Sequence, residues 1–245
     1  MLRYLSEDYP QVGLISSNLN DSDGALATKE DVSFSGLRNN YCVSYVDLVN
    51  STKIASQLSE EEVSTYYGIF LNSVAKIAKS FDARIIKNAG DCLIYYFPKT
   101  SVLTDTFAFK QVLECGLTVL DARQIINREL YGKSLPTMSY RISADYGRLE
   151  MVKTSSSRAN DFFGPTMNLC AKMNTKAKSN SMVVGESLYK LVKSLKGYSF
   201  KNAGSYFLDP DTNYVIYSIG TTRQQFSNRF SEILQAKRTL QEIGD

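Results

Sequence analysis

Lys87-Asn88-Ala89-Gly90-Asp91-Cys92-Leu93-Ile94-Tyr95-Tyr96-Phe97 sets a lysine, a short glycine-containing connection and an aspartate ahead of an apolar, β-favouring run. Arg84 to Lys87 has the same strand-like character, so the two runs joined by Asn88-Ala89-Gly90 predict a β-hairpin, with Asp91 opening its second strand. A second aspartate has a similar setting: Tyr41 to Leu48 is a short β-favouring run that carries Asp47 near its end and gives way to Val49-Asn50-Ser51-Thr52. An ionised carboxylate at the end of an apolar strand is costly to desolvate unless a cation meets it. Two of them point to a metal site, and hard oxygen ligands in a chain without histidine point to Mg2+ or Mn2+ rather than zinc. Taken alone, such a pair fits a phosphatase or a polymerase equally well.

Outward from these two runs the hydrophobic period changes repeatedly. Ser59-x-x-Glu62 is a capping box that opens a helix with Val63, Tyr67, Phe70, Val74 and Ile77 at helical spacing. A second helix is expected from about Phe107 to Leu130, with Phe109, Val112, Leu113, Leu117, Leu120, Ile125 and Ile126 on a broad apolar face. Ser139 to Ala144 and Arg148 to Val152 read as two strands joined through Asp145-Tyr146-Gly147, and Thr154 to Asn160 as a polar loop. Pro165 fits the first turn of a helix through Met167, Leu169, Ala171 and Met173. A strand at Ser181 to Val184, a helix at Glu186 to Leu195, and strands at Tyr198 to Leu208 and Asn213 to Ile219 follow. The order β-α-β-β-α-β-β-α-β-α-β-β predicts an α/β, or α+β, sandwich with a mixed sheet and helices packed on it. Residues 1 to 40 show no sustained period and are expected to form an N-terminal arm, residues 41 to 220 the domain, and residues 221 to 245 an amphipathic C-terminal helix with Phe226, Phe230, Ile233, Leu234 and Leu240 on one stripe.

Composition narrows the chemistry. The 245 residues are 43% hydrophobic, enough for a real core, and 28 Lys and Arg against 25 Asp and Glu leave a charge of +3, too balanced to imply a nucleic-acid surface. With no histidine the usual general base is missing, so catalysis must run on carboxylates, lysines or metals. The cysteines Cys42, Cys92, Cys115 and Cys170 are scattered among mostly apolar neighbours, as expected of reduced core residues in a cytoplasmic protein. No apolar stretch approaches the roughly 20 residues that a transmembrane helix needs. No membrane partner is therefore expected, and the 16 tyrosines suit half-buried sheet positions.

From Tyr41 to about Tyr217 the chain resembles the catalytic domain of the class III adenylate and guanylate cyclases, on three motifs in order. Asp47-Leu48-Val49-Asn50-Ser51-Thr52 is similar to the family's metal-binding turn, with Asn50 where glycine is usual; asparagine tolerates positive φ better than most residues. Lys87-Asn88-Ala89-Gly90-Asp91 matches the family's Lys-x-x-Gly-Asp hairpin, and Asp161-Phe162-Phe163-Gly164-Pro165-Thr166-Met167-Asn168 its Asp-to-Asn spacing. The resemblance implies a mostly antiparallel sheet of the ferredoxin-like palm type and two divalent cations on Asp47, Asp91 and the Leu48 carbonyl. Ser51 and Thr52 would lie in the substrate-binding turn. It also implies adenine read by Lys87 and Asp161, ribose oriented by Asn168, and triphosphate contacted by Arg141. The expected activity is that of an adenylate cyclase, ATP to 3',5'-cyclic AMP and pyrophosphate, in a homodimer with its sites at the interface.

Two departures bear on that expectation. The family's transition-state arginine, four residues after the asparagine, is Lys172, which keeps the charge and loses the bidentate fork. Where the family often carries a triphosphate lysine near the carboxyl end, the chain reads Tyr206-Phe207-Leu208-Asp209, so Lys201 or Lys53 would have to compensate. A catalytically weak or inactive module of the same fold is the alternative expectation. A cyclic dinucleotide synthase fits less well, since the hairpin reads Ala89-Gly90-Asp91-Cys92 rather than Gly-Gly-Asp/Glu-Glu-Phe.

Overall fold

The computed structural model describes residues 32–154, 161–209 and 211–221. The proposed C-terminal helix, the Thr154 to Asn160 loop beyond its first residue, and the arm before residue 32 lie outside these. Among the described residues eight strands form one sheet: β1 (Val32–Leu48), β2 (Arg84–Ala89), β3 (Cys92–Phe97), β4 (Tyr140–Thr154), β5 (Asp161–Phe163), β6 (Met182–Gly185), β7 (Tyr198–Asp209) and β8 (Thr212–Thr221). Their order is β2-β3-β1-β4-β6-β8-β7, with β5 added alongside β4. Every pairing is antiparallel except the parallel one between β4 and β6. The helices are α1 (Ser51–Ala55), α2 (Glu60–Ser80), α3 (Thr106–Gly132), α4 (Pro165–Asn174) and α5 (Glu186–Val192). This is the mixed α+β architecture expected from the sequence.

Period-two alternation sorts the two faces of the sheet. Cys42, Val46 and Leu48 of β1, Leu93, Tyr95 and Phe97 of β3, and Tyr140, Ile142 and Ala144 of β4 point into one large core with α2, α3 and α5. Val43 and Tyr45 of β1 and Ile94 of β3 point to the other face, where they pack with Met167 and Cys170 of α4. Asp47 and Arg141 share the α4 face by the same alternation. The capping box forms at α2, with Glu62 N–H donating to Ser59 Oγ at 3.3 Å and Ser59 N–H to Glu62 Oε2 at 2.8 Å. Such a cap contributes about 1 kcal/mol. All four cysteines are buried and unbridged, and among the described residues no helix is long and apolar enough to cross a membrane.

Three local expectations change. β1 starts at Val32, so residues 32–40 extend the first strand along β4 instead of belonging to the arm. The hairpin turns at Gly90 and Asp91, because Gly90 takes a left-handed φ of 64°, and Asp91 precedes the second strand. Asp145-Tyr146-Gly147 is not a turn, since β4 runs through it without a break. A Cβ on Gly147 would come within 2.4 Å of Thr166 Oγ1, so this glycine admits the start of α4 rather than bending the chain.

Asp145 is 1% exposed, accepting from Tyr214 Oη at 2.6 Å and Leu188 N–H at 3.1 Å. Gly185 has no side chain to clash with that carboxylate, which would lie 2.4 Å from a Cβ there. Burial pushes the Asp145 carboxyl up to about 6 against these hydrogen bonds. The folded state therefore holds a proton that the unfolded chain has released, and stability falls as pH rises from about 4 to 6. Asp145→Asn should flatten this segment of the pH–stability profile and raise stability at pH 7 by roughly 1–3 kcal/mol, as read by denaturant titration from pH 4 to 7.

Candidate functional site

Asp47 is held between its two neighbouring strands, opposite Cys92 on β3 and Arg141 on β4. Arg141 Nε donates to Asp47 Oδ2 at 3.0 Å, and both side chains are mostly buried, 29% and 21% exposed. Asp91 joins from the hairpin turn: its carbonyl accepts from Leu48 N–H at 3.2 Å, and its carboxylate accepts from the Ser51 hydroxyl. Asn50 makes the latter contact possible. It adopts φ 60° and ψ 27°, the left-handed geometry expected where glycine is missing, and so turns β1 into α1. Thr52 follows on α1 and is exposed.

Burial raises the Asp47 carboxyl above its ordinary value, the Arg141 hydrogen bond opposes this, and the nearby Asp91 charge adds to the rise. Burial likewise pushes the Cys92 thiol up to about 12, with Asp47 and Asp91 contributing, so it is no nucleophile. Two neighbouring carboxylates with one guanidinium, paired to Asp47, leave a net negative charge that a further cation would relieve. Among the described residues no group of three or more carboxylate, thiol or imidazole side chains is placed to hold a metal. A two-carboxylate set fits Mg2+, which takes one or two protein carboxylates and completes its shell with water and substrate phosphates.

A cleft of about 320 Å³ opens beside Asp47 and Arg141, lined also by Tyr45, Ala89, Cys92, Ala171, Asn174 and Thr175. Asn174 was not legible in the sequence as a site residue. Its amide donates to the carbonyls of Tyr45 (3.4 Å) and Arg141 (3.3 Å), tying the end of α4 to both strands that carry the charged pair. Ser143 Oγ donates to Cys170 O at 2.8 Å and adds a second tie.

Lys87 and Asp161, far apart in sequence, meet at 2.6 Å. At 44% and 40% exposure the pair adds little to stability. The second Asp161 oxygen accepts from Phe162 N–H at 2.7 Å, fixing the carboxylate, and the rings of Phe162, Tyr96 and Tyr41 pack together. The short strand β5, which carries Asp161, was not expected. Asn168 and Lys172 are exposed on α4, and among the described residues no side-chain hydrogen bond or ion pair joins them to either charged group.

Residues 35–221 match the family model for the adenylate and guanylate cyclase catalytic domain. The chain belongs to this family. The cyclase domain is 23% identical over 181 residues to a cytidylate cyclase of Staphylococcus aureus, a match that covers 71% of this chain and 43% of that relative. In fold it is similar to the adenylyl cyclase CyaB from P. aeruginosa, with a TM-score of 0.69 at 16% identity, covering 77% of this chain and 97% of that one. It is also similar to the guanylyl cyclase Cya2, with a TM-score of 0.66 at 16% identity, covering 77% and 95%. Neighbours of differing base preference share the fold, so fold alone does not choose a substrate.

Arg141 is the cation that the cyclase domain itself provides to Asp47. Arg141→Gln should lower stability at pH 7 by about 1–3 kcal/mol, the cost of a largely buried charge losing its hydrogen-bonding partner. The loss should shrink as pH falls through the raised Asp47 pKa, where the carboxylate takes up a proton, and paired denaturant melts at pH 7 and pH 3.5 measure the difference.

Proposed function

We propose that the chain is a nucleotide cyclase that selects an amino base, with ATP as substrate and 3',5'-cyclic AMP and pyrophosphate as products. The observation that carries this reading is the Lys87–Asp161 pair, a donor beside an acceptor held at 2.6 Å. Adenine presents the complement, a ring nitrogen that accepts and an exocyclic amine that donates. Guanine presents the reverse polarity and would leave the polar groups of base and pair mismatched, a penalty that discriminates between the bases.

In the reaction the ribose 3'-oxygen bonds to the α-phosphorus, the bond from that phosphorus to the β-bridging oxygen breaks, and the hydroxyl proton is lost. Two Mg2+ or Mn2+ ions on Asp47, Asp91 and the Leu48 carbonyl would supply Lewis acidity towards the hydroxyl and the triphosphate. Ser51 keeps the Asp91 carboxylate oriented, with Thr52 beside it in the same turn, and Arg141, paired with Asp47, would be the guanidinium that meets the phosphates. Asn168 would orient the ribose, and Lys172 would stabilise charge on the phosphates with one ammonium in place of a planar fork. The exposure of Asn168 and Lys172 on α4, unconnected to the Asp47 group of their own chain, supports a homodimer in which they complete the site of a second copy.

CTP is the second reading, favoured by the cytidylate cyclase relative. Cytosine carries an accepting ring nitrogen beside an exocyclic amine, so Lys87 and Asp161 suit it as they suit adenine, while uracil is excluded with guanine.

The test is incubation of the purified chain with each of ATP, CTP, GTP and UTP and Mn2+ or Mg2+, followed by separation of the cyclic nucleotides. ATP should turn over at least about 100-fold faster than GTP or UTP, since mismatched polar groups commonly cost that much or more. Asp47→Ala should abolish turnover, and Lys172→Arg should preserve or raise it. Turnover of CTP above ATP would install the second reading. Binding of nucleotide without any turnover would replace both with a regulatory module.

A further inference from the structure

Lys172 and Lys176 stand four residues apart at the end of α4, where Thr175 keeps helical geometry and Lys176 N–H donates to Met173 O at 2.9 Å. Both are exposed, and among the described residues neither is ion-paired with a carboxylate. Like charges at this spacing repel and cost stability unless an anion lies between them.

Tyr206 of β7 organises the pair. Its hydroxyl donates to the Lys172 carbonyl at 2.5 Å and lies 2.8 Å from Thr175 Oγ1, while the Lys176 ammonium sits 5.2 Å from the centroid of its ring. A cation over an aromatic face is held in place without being neutralised. Thr175, between the two lysines, is hydrogen-bonded to the same hydroxyl. Tyr206 opens the Tyr206-Phe207-Leu208-Asp209 stretch, in which the sequence has no cation of its own. Lys201 lies on β7 opposite Ser218 and Lys53 on α1, so the ammonium placed at Tyr206 is that of Lys176.

We propose that Lys176, seated on Tyr206 beside Lys172, is a second binding cation for a linear polyphosphate, the triphosphate tail of the nucleotide. The proposal rests on the cyclase reading for its substrate and on the lysine–tyrosine geometry for its site.

The experiment measures inorganic tripolyphosphate binding by calorimetry and, in parallel, KM and kcat for the preferred nucleotide, in the wild type, Lys176→Ala, Lys176→Arg and Tyr206→Ala. Lys176→Ala should weaken tripolyphosphate binding and raise KM by about tenfold, in line with loss of one charge-assisted contact, and change kcat less. Lys176→Arg should restore most of the affinity, and Tyr206→Ala should reproduce part of the defect. A chain that makes no cyclic nucleotide yet binds tripolyphosphate more weakly after Lys176→Ala refutes the cyclase reading and keeps the polyphosphate site. Equal tripolyphosphate affinity in wild type and Lys176→Ala overturns the proposal. The same holds if Lys176→Ala alters only the melting temperature, as expected of a lysine that merely complements the helix end.

Discussion

The register of β1 against its two neighbours is the constraint on which the site depends. Because successive side chains of a strand alternate between faces, a slip of one residue would drive Asp47 into the core with α2 and α3 and expose Val46. The core prevents this: Cys42, Val46 and Leu48 are fully or almost fully buried, and Tyr140 and Leu93 on the flanking strands occupy the same layer. With β1 locked, Arg141 and Cys92 flank Asp47 on either side, and the hairpin turn brings Asp91 to Leu48 and Ser51. Packing energy thus fixes the position of charges that contribute little packing themselves.

Features set by local rules were legible from the sequence. The Ser59–Glu62 cap, the glycine turn before Asp91 and the helix opened by Pro165 each need only a few neighbouring residues. Asn50 is similar, since a left-handed residue after a strand end is a local requirement. Features set by tertiary contact were not legible. Asp145-Tyr146-Gly147 has the composition of a turn, but Asp145 is needed by Tyr214 and Leu188 and Gly147 by Thr166, partners that come later in the chain. Asn174 belongs to no motif, and its role comes from the carbonyls of Tyr45 and Arg141 beneath it. The meeting of Lys87 with Asp161 needed the resemblance to a family, because no local pattern joins β2 to β5.

One chain carries two separate sets of groups. Asp47 and Asp91 lie together beside Arg141, a set that the proposed function gives to cations and phosphates, while Lys87 and Asp161 pair as the donor and acceptor that it gives to a base edge. Asn168 and Lys172 stand apart on α4. This partition underlies the proposed homodimer: groups that do not converge within a chain converge between two related by a two-fold axis. Asn174 ties the end of α4 to the strands that carry Asp47 and Arg141.

Mixing two inactive variants tests that partition most directly. Asp47→Ala and Asn168→Ala chains, each inactive alone, should regain up to about a quarter of wild-type cyclase activity when exchanged at equal concentration, because half of the resulting dimers carry one intact site. Absence of any recovery, with mixed dimers demonstrated by differential tagging, would contradict a site built from two chains.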